Sequence, residues 1–199
     1  MKPYFFYARV IESLDLPPVE RHACFADLHA EALRPYLDRV RALTAEEAQC
    51  PVNVGDDSRT VAQIVGHIAE WDRFSMLGAM DILLGGRHPR TATDLTGYIR
   101  LDGQVIDFET VDEFNAYQAE QHSAWAWDDL QALALDTASS LYALFTHPDL
   151  LHAARLERTE SFEKRLDNGY LIDRIGMGWD LWLMVIEHLA VDHVDELGL

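Results

Sequence analysis

Four long stretches of this chain carry apolar residues at helical spacing, and almost nothing shows the strict alternation of a half-buried strand. In "VERHACFADLHAEALRPYLDRVRALT" the stripe is Phe25, Leu28, Ala32, Leu33, Leu37, Val40 and Leu43. Pro35 sits inside it and should kink or split the helix, because proline lacks the N–H and crowds the preceding turn. "RTVAQIVGHIAEWDRFSMLGAMDILLGG" follows as a long amphipathic helix, with Ser58 as N-cap and two glycines at its end. "TVDEFNAYQAEQHSAWAWDDLQALALDTASSLYALF" opens with a capping box, Thr110 and Glu113, and stops at His147-Pro148. Its Trp-rich middle is where it would bend or break. "GWDLWLMVIEHLAVDHVDELG" is the fourth.

Between these, "TAEEAQCPVNVGDDS" reads as a connecting loop and "RHPRTATDLTGYIRLDGQVIDFE" as irregular, with turns at His88-Pro89 and Asp102-Gly103. Residues 149–177 read as loop with one short helix or strand. The fold class this predicts is all-α: an up-down four-helix bundle with long crossover segments. No repeat, low-complexity tract or linker divides the chain, so residues 1–199 read as one domain, with 1–19 as an N-terminal extension. That length is enough to bury a core without staples.

A net charge of −18 argues against a phosphate-binding or membrane-surface protein and removes the electrostatic support for a nucleic-acid partner. Cys24 and Cys50 are too few for a disulfide framework or a thiolate zinc site. "MKPYFFYARV" lacks the features of a secretory signal, and Glu187 and His188 break the longest apolar run before it could span a bilayer. A cytoplasmic protein without membrane partners is expected.

Among nine histidines, His67 lies mid-helix between Ile64, Ile68 and Trp71, where a core histidine bonded to a carbonyl is the ordinary reading. "IEHLAVDHVDEL" places His188, Asp192 and His193 within six positions. Ligands from one helix must share a face, and His188 and Asp192 do, about 40° apart at ~100° per residue. His188 and His193 stand about 140° apart on the same wheel and could share an ion only across a π-bulge. Three arrangements stay open: His67 with His188 and Asp192, His67 with His188 and His193, or a solvated polar pair with His193 simply packed. Imidazole and carboxylate suit zinc, nickel, iron or manganese alike. Trp71, Trp125, Trp127, Trp179 and Trp182 read as core first and as a pocket lining second.

"SRTVAQIVGHIAEWDRF" resembles the second-helix signature of the DinB-like superfamily, and "IEHLAVDHVDEL" resembles its last helix. "TVDEFNAYQAEQHSAW" is similar to the third-helix start of its ClbS-like subgroup, and the order of elements matches over residues 20–199. The resemblance implies a four-helix bundle, often a homodimer, in which three side chains hold a divalent metal, zinc or nickel ahead of iron or manganese. One ligand comes from the second helix, matching His67, and two from the fourth, the last matching His193. The middle ligand should stand four residues before His193, where this chain has Leu189; His188 is its nearest substitute. Family activities include mycothiol- and bacillithiol-dependent transferases and isomerases, metal-dependent hydrolases and ClbS-like resistance proteins. The function implied is a metal-dependent hydrolase or thiol transferase acting on a small molecule. The alternatives are a non-catalytic small-molecule binding or resistance protein with a degenerate site, and a structural helical dimer. Glu70 and Asp192 stand where an orienter or general base would, with a solvated helix-face charge as the plainer reading of Glu70.

Overall fold

All four apolar stripes fold as helix in the computed structural model of the chain, which describes residues 3–52, 54 and 59–199. Helix α1 spans Pro3–Leu14 and α2 spans Pro18–Ala42. The latter runs through Pro35 without the expected split. Pro35 and Glu31 are both exposed, so the carbonyl that loses its N–H partner belongs to a residue on the solvent side of the helix, where the loss costs least. On the opposite face Leu33, Tyr36 and Val40 are buried and hold the turns on either side together.

The stretch expected as a loop contains a one-turn helix, α3 (Ala45–Ala48), with a capping box from Thr44 and Glu47. Helix α4 (Val61–Leu83) is capped by Thr60, whose side chain accepts from the Gln63 N–H while Gln63 accepts from the Thr60 N–H. Thr60 therefore takes the role expected of Ser58, which lies outside the described residues.

Both crossovers contain more order than the sequence predicts. Strand β1 (Tyr98–Ile99) pairs antiparallel with β2 (Val105–Ile106), and β3 (Ser161–Arg165) with β4 (Leu171–Gly176). Their turns carry Gly103 and Gly169 at φ of 83° and 87°, a region open to glycine at little cost. Strand β3 is exposed nearly throughout and so lacks the apolar alternation that announces a strand; Asn168-Gly169 is its one signal. The third stripe breaks in its Trp-rich middle into α5 (Val111–His122) and α6 (Trp127–Thr146). Thr110 caps α5 by accepting from the Glu113 N–H, but the Glu113 carboxylate takes the Glu109 N–H, so only half the expected box forms. A short α7 (Ala153–Leu156) precedes β3. The last stripe is α8 (Met177–Glu187), a π-helical turn (His188–Asp192) and α9 (Val194–Leu197).

Helices α2, α4, α6 and α8 make the bundle: α4 packs on α6 and α8, and α2 closes the ring against the same two. Phe25, Phe145, Trp179 and Trp182 are buried at its centre, with Trp182 stacked on Phe145 at 5.0 Å between ring centres. Trp182 Nε1 donates to His29 Nδ1 at 3.0 Å, and Trp127 Nε1 to the Leu43 carbonyl at 3.1 Å, so both indoles are satisfied core. Helix α1 adds Phe6, Tyr7 and Val10 and packs on α2 and the π turn. A second cluster of Phe74, Leu95, Tyr98 and Phe114, with Trp71 against it, joins α4, β1 and α5. That cluster fixes α5 beside the middle of α4, where His67 lies. No described helix is long and apolar enough to cross a membrane.

Candidate metal centre

The π turn changes what a five-residue spacing means. It closes its hydrogen bonds from i to i+5, so a residue and the fifth after it return to one face. His188 Nε2 and His193 Nε2 lie 2.8 Å apart. His67 faces them from α4, its ring centre 5.1 Å from each of theirs. One ligand atom from each of the three lies within 4.8 Å of the other two. Asp192, the alternative to His193, stays outside that group and lines the cleft beside it. Leu189, four residues before His193 where the resemblance leads one to expect a ligand, is buried in the bundle core together with Ala190.

Two of the rings are held from behind. Gln118 Oε1 contacts His67 Nδ1 at 3.1 Å, which calls for the proton on Nδ1 and leaves the Nε2 lone pair for the centre. The Glu196 carboxylate engages His193 Nδ1 in the same way, and Arg59 Nη2 holds the other Glu196 oxygen at 2.9 Å. Burial, with His193 and Arg59 nearby, pushes His67 down to about 3, and burial takes His188 well below the ordinary imidazole value. Both are neutral at physiological pH and can ligate without releasing a proton. Three imidazoles beside an open cleft, two of them held neutral by burial, form a donor set that could hold a metal ion and leave one coordination position for water or substrate.

Gln118 was not singled out by the sequence, yet it is 1% exposed and sits four residues from His122 on one face of α5. Partners of this kind are worth roughly 10–100-fold in metal affinity. Gln118→Leu is expected to weaken zinc binding by about that factor, read by competition with a chromophoric chelator, while the far-ultraviolet circular dichroism is unchanged. Parent-like affinity would show that Gln118 does not orient His67.

The cleft has a volume of about 280 Å³, and its other walls include Trp71, Asn115, Met184 and Val185. Trp71 Nε1 donates to Asn115 Oδ1 at 3.1 Å. Trp71 thus belongs to the cleft, whereas Trp127, Trp179 and Trp182 belong to the core. Trp125 borders a separate hollow. Three carboxyls also face the cleft. Burial pushes Asp72 up to about 8; desolvation and the charges of Glu187 and Asp167 push Asp192 up to about 7. Burial also raises Glu187, which accepts from the Tyr7 hydroxyl at 2.6 Å.

Glu70 is not the solvated charge of the plainer reading. It is 4% exposed and accepts from Arg73 Nη1 at 2.7 Å, from His122 Nε2 at 3.0 Å and from the Tyr98 hydroxyl. It does not line the cleft. Its role is to tie α5 and β1 to α4, and α5 also carries Gln118, so the Glu70–His122 contact seats the residue that holds His67.

Searches against known protein families and against curated proteins find no match. A crystal structure of a histidine-to-alanine mutant of a mycothiol-dependent maleylpyruvate isomerase superposes with a TM-score of 0.55 at 16% identity, over 94% of this chain and 62% of that one. The chain therefore spans less than two thirds of that protein's length. At this identity the likeness is one of fold alone, an all-α helical bundle.

Proposed function

We propose that His67, His188 and His193 hold a divalent transition metal, zinc or nickel before iron or manganese, and that the chain is an enzyme acting on a small molecule in the adjoining cleft. The observation carrying this reading is the convergence of three imidazoles from α4 and the π turn at one cleft. A bound ion would supply Lewis acidity, lowering the pKa of a coordinated water or thiol and stabilising developing negative charge. The chain's own residues do the rest. Gln118 and Glu196 fix the tautomers of His67 and His193. Asp192, titrating near neutrality at the cleft wall, is poised to take a proton from substrate and return it. Met184 and Val185 give an apolar body a surface to pack on.

Thiol-dependent transfer or isomerisation stands ahead of hydrolysis, because the structural neighbour is by name a mycothiol-dependent isomerase. A binding-only protein with a decayed site drew its support from Leu189, and the π turn supplies His188 instead. A cytoplasmic homodimer without nucleic-acid or membrane partners completes the reading, on the family resemblance and the charge of −18.

Plasma mass spectrometry of untagged protein is expected to find about one equivalent of transition metal, the stoichiometry of a single three-histidine centre. Metal-loaded protein should then consume mycothiol or bacillithiol in the presence of an electrophilic small molecule, and stop after chelation. A protein that carries no metal and takes up neither zinc nor nickel would overturn the reading.

A further inference from the structure

Asp72, Glu187 and Asp192 line the cleft, and no lysine or arginine does so among the described residues. Asp72 is 3% exposed, and its Oδ2 has no hydrogen-bond partner among the described residues. A buried acceptor left unpaired is costly, and native structures rarely keep one without a use. Lys164 borders an adjoining hollow that shares Ala92 and Met184 with the cleft, but it is paired with Asp180 at 2.5 Å. Trp71, its Nε1 engaged by Asn115, adds an aromatic ring of the kind that attracts cations.

We propose that this cleft selects a small molecule bearing a protonated amine, seated against Asp72 with Glu187 and Asp192 around it and its apolar body along Met184 and Val185. An ammonium group has three N–H donors and no acceptor, which complements a wall of carboxyl acceptors. The same wall disfavours a carboxylate ligand. Burial keeps Asp72 protonated near neutrality when it is alone, and an ammonium beside it favours the ionised form that pairs with it. The assignment rests on the cleft being the substrate site and does not require the metal.

Benzylamine, benzyl alcohol and benzoate are matched probes of this preference, titrated near neutral pH by ligand-observed NMR into protein as purified and after zinc loading. Benzylamine is expected to bind at least about tenfold tighter than the alcohol, a difference of ~1.4 kcal/mol, with benzoate weakest. Asp72→Asn should bring amine and alcohol to within about threefold of each other, with the alcohol unaffected. Should that variant fold poorly, Asp192→Asn, at an accessible position, is expected to reduce the amine advantage in part. Equal binding of amine and alcohol, benzoate as the tightest ligand, or an amine advantage untouched by either variant would overturn the proposal. Metal analysis of the same samples separates the two readings. An amine preference in protein that takes up no metal sinks the metal centre alone, and bound metal without that preference sinks the amine site alone.

Discussion

His67→Ala is expected to weaken metal binding by about two orders of magnitude while leaving the bundle folded. A structural zinc site contributes roughly 10–16 kcal/mol over four ligands, so one imidazole is worth about 3 kcal/mol, or about a hundredfold. His67 is half-buried at the edge of the cleft, so truncation enlarges an accessible space rather than opening a void in the core. Its stability cost should stay near the ~1 kcal/mol typical of point substitutions. Excision of Val191 makes the informative contrast. The deletion shortens the His188 to His193 spacing from five to four, which a regular α-helix places on one face without any π turn. Chelator competition should then find zinc affinity within about tenfold of the parent. Parent-like metal content in His67→Ala would mean that the ion sits elsewhere.

That contrast also marks where the sequence stopped being legible. The fold class followed from apolar spacing because each bundle helix buries one stripe, and burial leaves a period of 3.6 in the residues themselves. Strand β3 left almost no trace, since an exposed strand has no face to bury, and β4 buries Ile172 and Ile175 three apart across an irregular register rather than at the alternation of a regular strand. At the last helix, a regular wheel favoured Asp192 over His193, and the choice turned on one local departure from α geometry. A π turn has no composition of its own. It forms here where Leu189 and Ala190 are drawn into the core while His188 and His193 stay at the cleft. Gln118 and His122 were readable in principle as polar residues four apart on one face of α5. Nothing local to them, however, says that α5 lies against His67 and Glu70.

Glu70→Ala is expected to cost about 3–5 kcal/mol, the range for removing one partner of a buried ion pair and stranding the other. Arg73, His122 and Tyr98 all lose their acceptor at once, and Arg73 is itself mostly buried. For a chain of 199 residues this corresponds to a fall in Tm of roughly 10 °C. The effect has a pH signature. Burial alone would raise the Glu70 pKa, but the His122, Arg73 and Tyr98 contacts outweigh it and hold the carboxyl below the ordinary glutamate value. A depressed folded-state pKa means that the unfolded chain binds the proton more readily. The stabilisation is therefore complete above the ordinary glutamate pKa and is lost as pH falls through the folded value. Thermal unfolding followed across that acid range should show a shallower pH slope in Glu70→Gln than in the parent, alongside a lower Tm at neutral pH. Because the same contacts seat α5, and with it Gln118, zinc affinity should fall in Glu70→Ala even at temperatures where the variant is fully folded. A variant with the parent's Tm, acid slope and zinc affinity would show that α5 is held against α4 by the Phe74–Phe114 cluster alone.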